Sequence, residues 1–148
     1  MKIIDHESII KLNIPSSKCF RWVEEVIKNK NAMLLPPKIS MKLEGHIFYN
    51  TMPCILPQYN IAGVKVVSRY PTRIPSLDSQ ILLYDLKTGK LKALLDGNYI
   101  TAMRTGAVAA HSIELLSVAN YKTIGMIGLG NTARATCKVL LDINSGKK

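Results

Sequence analysis

Acidic residues are scarce in this chain. Ten Asp and Glu stand against 20 Lys and Arg, a formal charge of +10 over 148 residues. Cysteine is scarce too: Cys19, Cys54 and Cys137 are the only three, with no CxxC or CxxH spacing. An odd, dispersed set excludes a disulfide framework and a zinc site and points to a reducing, cytoplasmic setting. Each of the three is read as a small buried hydrophobe. No apolar run approaches the roughly 18 residues a membrane helix needs. The opening MKIIDHESIIKLN carries acids within its apolar pattern, unlike a secretory leader. Aromatics make up only 6% of the chain and do not interleave with the basic residues, which are spread throughout. A diffuse surplus of this kind disfavours nucleic acid and suits solubility or small anionic ligands.

What is present suffices for one core. Apolar residues form 47% of the sequence, which excludes disorder. Residues 5–30 read as helical, with Pro15 separating a first turn around Ser8–Leu12 from a longer helix. Ser16 or Ser17 is its expected cap, and Phe20, Val23 and Ile27 its stripe, widened by Trp22 and Val26. From Met33 to about Leu95 the pattern is that of strands. Pro36 and Pro37 make LLPPKISMKL an extended edge, and HIFYNTM alternates after the Glu44-Gly45 turn. IAGVKVVSRY sets Val64, Val66, Ser68 and Tyr70 on one face and Lys65, Val67 and Arg69 on the other. QILLYDL suits a central strand, and DLKTGKLKALL a hairpin turned by Gly89. Asn98 then reads as the N-cap of a helix to about Ser117, with Ile100, Met103, Ala107, Ala110 and Ile113 inward.

The last segment carries a motif. Gly128-Leu129-Gly130-Asn131-Thr132-Ala133 follows an apolar run, Thr123–Ile127, expected as a strand, and opens a helix with Ala133, Cys137 and Leu140 inward. This is the setting of a dinucleotide-binding turn. Its first glycine allows the sharp turn, its second admits a pyrophosphate, and helix N–H groups meet the phosphates. No Gly-Lys-Ser/Thr follows, so it is not a P-loop. Upstream, Lys65 interrupts an apolar strand, Lys38 follows two prolines, Ser76 sits in a proline-flanked loop, and Arg104 lies beside Met103 and Ala107. Together they suggest a cleft for a substrate carboxylate. His46 and His111 lack an evident carboxylate partner and read as structural.

In order and spacing, PPKISMKL, Met52-Pro53, the G-V-K strand, D-G-N-x-I-T-A-x-R-T and the glycine turn resemble the ornithine cyclodeaminase/mu-crystallin family over roughly residues 33–145. The resemblance implies an α+β fold. An N-terminal helix and a mixed or antiparallel, open-barrel-like sheet (residues 1–119) bind substrate and dimerise. Residues 120–148 begin a Rossmann domain for NAD(H) or NADP(H). It implies Lys65 as the active-site lysine, and Lys38, Lys65 and Arg104 on the substrate. Ser76, Arg104, Thr105, Gly128, Gly130, Asn131 and Thr132 would lie on the cofactor. Lys38 falls near a family arginine, keeping the charge without the bidentate geometry. The type reaction is deaminating cyclisation of L-ornithine to L-proline. Imine or ketimine reduction, amino-acid dehydrogenation and a non-catalytic ligand-binding or dimerisation module are alternatives on the same scaffold. The family's catalytic aspartate would lie beyond Lys148. The chain therefore reads as an N-terminal portion, inactive alone, with a small amino or imino acid as the whole protein's partner, no metal, and a homodimer as its assembly.

Overall fold

The computed structural model describes residues 1–118 and 120–145. They group into two compact units, one of Met1–Leu12 with Asn29–Tyr99, the other of Asn13–Lys28 with the chain from Ile100 on.

The first unit is a six-stranded mixed sheet. Its strands are β1 (Lys2–Ile4), β2 (Ile39–Leu43), β3 (Ile47–Leu56), β4 (Ile61–Arg69), β5 (Leu77–Asp85) and β6 (Leu91–Asp96), in the order β1-β6-β5-β4-β3-β2. Strands β2 to β6 form an antiparallel meander, and β1 adds in parallel beside β6. The helical reading of the N-terminus starts too late to include β1, whose three residues are too few for an alternation to show. Short helix α1 (His6–Lys11) follows it, with the Asp5 carboxylate accepting from the Ser8 N–H at 2.8 Å. The turns match their sequence signals: Gly45 (φ +71°), His46 (φ +60°) and Gly89 (φ +67°) supply the left-handed conformations the hairpins require. His46 is an exposed turn residue.

A polar cluster fixes the end of β6 and the start of α3 (Asn98–Leu116). Asn98 does not cap that helix with its own side chain. Instead its N–H donates to the Asp96 carboxylate (2.9 Å), and its Oδ1 accepts from the Ser79 N–H (2.9 Å). Its Nδ2 donates to Asp78 (3.0 Å) and Asp96 (3.2 Å). The capping reading failed because Asn98 is committed across the sheet, and Asp96 takes over. Gly97 between them lies against Ser79, where a Cβ would come within 2.8 Å of the serine Oγ. The Asn98 hydrogen bond, with those from Gln80 and the Ser79 backbone, holds the Asp78 carboxyl below its ordinary value of 3.8.

The second unit packs α2 (Ser16–Lys28), α3 and α4 (Asn131–Asn144). Ser16 and Ser17 are the first two residues of α2 rather than the residue that precedes it. The Ser17 N–H donates to the Asp142 carboxylate of α4 at 2.6 Å, so the cap comes from 125 residues away. That bond is the main cause of a lowered Asp142 pKa. Val23 is half-buried, but Trp22, Val26 and Ile27 are exposed. Gly106 of α3 meets α4 so closely that a Cβ would lie 2.6 Å from the Ala135 carbonyl carbon. The buried stripe of α3 is accordingly Met103, Gly106, Ala107, Ala110 and His111. On α4 it is Ala135, Thr136, Val139 and Leu140, so Ala133 and Cys137 are only half-buried. The small-residue contact with α3 turns the helix away from the expected face. His111 sits edge-on to Phe20 at 5.7 Å, a structural role as read. All three cysteines are half-buried rather than core residues; partial burial still raises the Cys19 and Cys54 thiol pKa values.

The strand expected at Thr123–Ile127 does not form. A strand needs a neighbour to take its backbone hydrogen bonds, and none of the six strands pairs with this segment. Ile124 and Ile127 are exposed.

Asn98→Ala should lower stability by roughly 2–4 kcal/mol in urea denaturation, since it leaves Asp78, Ser79 and Asp96 short of partners. The pH signature has a definite sign. A depressed carboxyl stabilises the fold above its unfolded pKa, and that stability drains as pH falls through about 3.8 and below. The acid limb of the stability profile should therefore be shallower in Asn98→Ala than in the wild type.

Candidate functional site

The sheet register places Lys65 in the interior. On β4 it stands opposite Met52 of β3 and Ile81 of β5, and Ile81 in turn faces Leu95 of β6. Directly opposed residues point to the same side of a sheet, so Met52, Lys65 and Ile81 share a face. Lys65 is half-buried. Lys38 is exposed and immediately precedes Ile39, whose partner is Thr51, next to Met52. Lys38 itself lies outside β2, one residue before the Ile39–Thr51 pair, which puts it near the Met52–Lys65 row with β3 between the two lysines. Long side chains from both can converge on one carboxylate.

Ser76 is not brought to this point. Five residues separate it from Ile81 along β5, roughly 17 Å of strand. Its carbonyl is engaged in the loop, accepting from the Tyr70 N–H (2.9 Å) and from Arg73 Nη2 (3.3 Å). Sequence reasoning passed over Arg73, which also donates to the Pro75 carbonyl and the Ser68 Oγ and lies over the Tyr70 ring.

Arg104 projects from α3 and is exposed to solvent. Partial desolvation lowers its pKa from 12.5, and no carboxylate or hydrogen bond offsets that among the described residues. It remains a cation at neutral pH, available to an anion. Thr105 beside it returns its hydroxyl to the Thr101 carbonyl at 2.7 Å.

At the glycine turn the expected helix follows, although the expected strand does not precede it. Gly128 adopts φ +83°, which a side chain would strain. Gly130 is the extended N-cap of α4 (φ −74°, ψ −177°), and no side chain caps the helix. The first-turn N–H groups are thus not spent on a capping side chain, and that turn carries no acid. A Cβ at Gly128 or Gly130 would meet nothing within 4 Å, so the backbone is open to close approach. Asn131 and Thr132 are exposed beside it, and Arg134 Nε donates to the Leu129 carbonyl at 3.0 Å. An uncapped helix start, an open glycine backbone and a nearby guanidinium fit an anionic diphosphate. No group of three or more His, Cys, Asp and Glu among the described residues could hold a metal ion, and no helix among them is long and apolar enough to cross a membrane.

The family model described as ornithine cyclodeaminase/mu-crystallin matches residues 2–145. The chain belongs to this family. It is 31% identical to the mouse ketimine reductase mu-crystallin over 105 residues, which cover 68% of this chain and 34% of the mouse protein. Among solved structures it resembles Thermococcus litoralis Δ1-pyrroline-2-carboxylate reductase in complex with NADH and L-proline. The TM-score is 0.84 at 33% identity, over 94% of this chain and 46% of that one. An archaeal alanine dehydrogenase dimer with bound NAD gives a TM-score of 0.87 at 27% identity, over 95% of this chain and 44% of the other. The chain thus spans less than half the length of these family relatives.

The two glycines should separate by substitution. Gly128→Ala forces a side chain into positive φ and should cost about 1 kcal/mol or more of stability. Gly130→Ala meets neither strain nor contact, and thermal unfolding should register little change.

Proposed function

We propose that this chain is the substrate-binding part, with the opening turn of the dinucleotide-binding part, of an NAD(P)(H)-dependent enzyme that interconverts a small amino acid and its imine. The observation that supports this reading is the half-buried Lys65 in mid-sheet, with Lys38 close by at the start of the neighbouring edge strand β2. Two cations there can hold a carboxylate, the group that amino and imino acids share. Lys65, half-buried in mid-sheet, is the more rigid of the two and is assigned the active-site role. Arg104, with no carboxylate partner among the described residues, is assigned to substrate or cofactor anions, with Thr105 and Ser76 carried over from the resemblance as cofactor residues.

Gly128, Gly130, Asn131 and Thr132 would hold the diphosphate of NAD(H) or NADP(H). The bound nicotinamide supplies or accepts the hydride. The residues of this chain fix the carboxylate and so orient the carbon that exchanges it. In this reading residues 1–119 form the substrate-binding and dimerising domain and 120–148 open the dinucleotide domain. The 148 residues alone give no turnover in this reading, because among the described residues the backbone at Gly128 and Gly130 lies open to solvent rather than walled off from water. The reductase relatives favour net redox chemistry over the family's cyclising deamination of L-ornithine, and both belong to a cytoplasmic enzyme of amino-acid metabolism.

The decisive assay incubates the full-length gene product with cyclic ketimines plus NADH or NADPH, with alanine or proline plus NAD or NADP, and with ornithine. Net change in nicotinamide absorbance on an imine–amino acid pair is expected. Substituting Lys65→Met should reduce kcat/KM about 100-fold, the scale of losing a buried cation–carboxylate contact. Proline and ammonia from ornithine without net nicotinamide change would establish the cyclodeaminase reading instead. Absence of turnover on all three would favour a non-catalytic module.

A homodimer through the sheet is proposed as well. Edge strand β2 turns Ile39, Met41 and Leu43 to the face opposite Lys65, and they are 60, 56 and 66% exposed. An apolar row on an open edge is a surface that proteins cover. Sedimentation of the wild-type chain should give a dimer and that of Met41→Glu a monomer; a monomeric wild type would contradict the assignment.

A further inference from the structure

Among the described residues, the Asn50 Oδ1 is the one buried side-chain nitrogen or oxygen atom without a hydrogen-bond partner. A buried amide left unpaired is costly, and such groups in a native fold call for an explanation. Its place in the register gives one. Asn50 of β3 stands between Ser40 and Val67, directly opposite each. It lies two residues before Met52, the partner of Lys65, so Asn50 and Lys65 share a face as diagonal neighbours, about 7–8 Å apart. The Asn50 row is displaced by about 6.8 Å along the strands from the Lys65 row, in the direction of Arg69. That displacement is the reach of a five-carbon amino acid whose carboxylate lies at Lys65.

We propose that Asn50 is a specificity-determining residue: its buried carbonyl oxygen accepts a hydrogen bond from a neutral O–H or N–H at the end of the substrate remote from the carboxylate. This rests on the carboxylate being held at Lys38 and Lys65. A neutral amide completes its hydrogen bonding with a hydroxyl or amide donor. It does not compensate a buried ammonium, which requires an anion in this position. On the same face Ser40 and Val67 stand directly opposite Asn50 and Ser79 lies beyond Val67, all neutral, while the diagonal neighbours Lys42, Lys65 and Arg69 are all basic. These flanking cations add to the cost of a second positive charge on the ligand. The site therefore selects a substrate with a neutral distal donor over one with an apolar or a cationic end.

Three ligands of equal chain length test this: L-norvaline, 5-hydroxy-L-norvaline and L-ornithine. Each is titrated into the full-length protein and followed by backbone amide NMR shifts. The hydroxylated ligand should bind about tenfold tighter than norvaline, the scale of satisfying one buried polar group, with ornithine no tighter than norvaline. In Asn50→Leu the preference for the hydroxylated ligand over norvaline should vanish. In Asn50→Asp, which keeps the shape and adds a charge, ornithine should become the tightest of the three. Ornithine preferred by the wild type, or a hydroxyl preference that survives in Asn50→Leu, would overturn the proposal. Lys65→Met separates the two claims, because it should weaken all three ligands alike. If it leaves them unchanged, or if none binds the wild type, the carboxylate assignment fails and this one falls with it. If Lys65→Met weakens all three but the wild type does not distinguish them, only the Asn50 assignment fails.

Discussion

Everything at the candidate site depends on the unbroken antiparallel register of β2 through β5. From Ile39 to Leu43, across β3 and β4 and on to Asp85, each pairing advances residue for residue, and the register shifts only between Leu83 and Tyr84. Because side chains alternate with a period of two, a single slip would send Lys65 to the other side of the sheet. The register sets Lys65 in the interior with Met52 and Ile81 beside it. It aligns Asn50 one row away, and Lys38 enters the edge strand one residue before the register begins. It also divides β2 into a basic, polar side facing the same way as Lys65 and an apolar side facing away.

A second constraint lies at the other end of the unit. Asp96, Gly97 and Asn98 open the block that carries the family resemblance, and they hold the chain in place. Asn98 joins Asp78, Ser79 and Asp96, and Gly97 permits backbone contact with Ser79. This cluster determines where α3 starts, and hence the residue at which its turns begin to count toward Arg104. The second unit uses the same economy: Gly106 lets α3 and α4 touch, and Asp142 of α4 caps α2.

Much of this was legible in the sequence. The five strands of the meander, both hairpin glycines, the long helix after Gly97 and the dinucleotide turn follow from period, turn chemistry and glycine placement, all local properties. What was misread is non-local. Asn98 looks like a cap because the sequence does not show Ser79 opposite it, and Ser16 looks like a cap because Asp142 is distant. Thr123–Ile127 has a strand's composition, but a strand exists only with a neighbour. The inward side of α4 turned on a contact with Gly106 that no pattern within α4 reveals. For the site, Lys65 was visible as a charge inside an apolar strand. Asn50 was not, because one polar residue in an alternating strand is ordinary until its burial and missing partner are known.

The central claim is that Lys38 and Lys65 act on one carboxylate, and a double-mutant cycle addresses it most directly. Affinity for a simple carboxylate such as cyclopentanecarboxylate is measured by NMR titration for the wild-type protein, Lys38→Met, Lys65→Met and the double variant. Shared use of the ligand predicts that the double variant loses less than the sum of the two single losses, with a coupling of at least about 1 kcal/mol. Losses that add to within about 0.3–0.5 kcal/mol, or a Lys38→Met protein that binds as the wild type does, would contradict it.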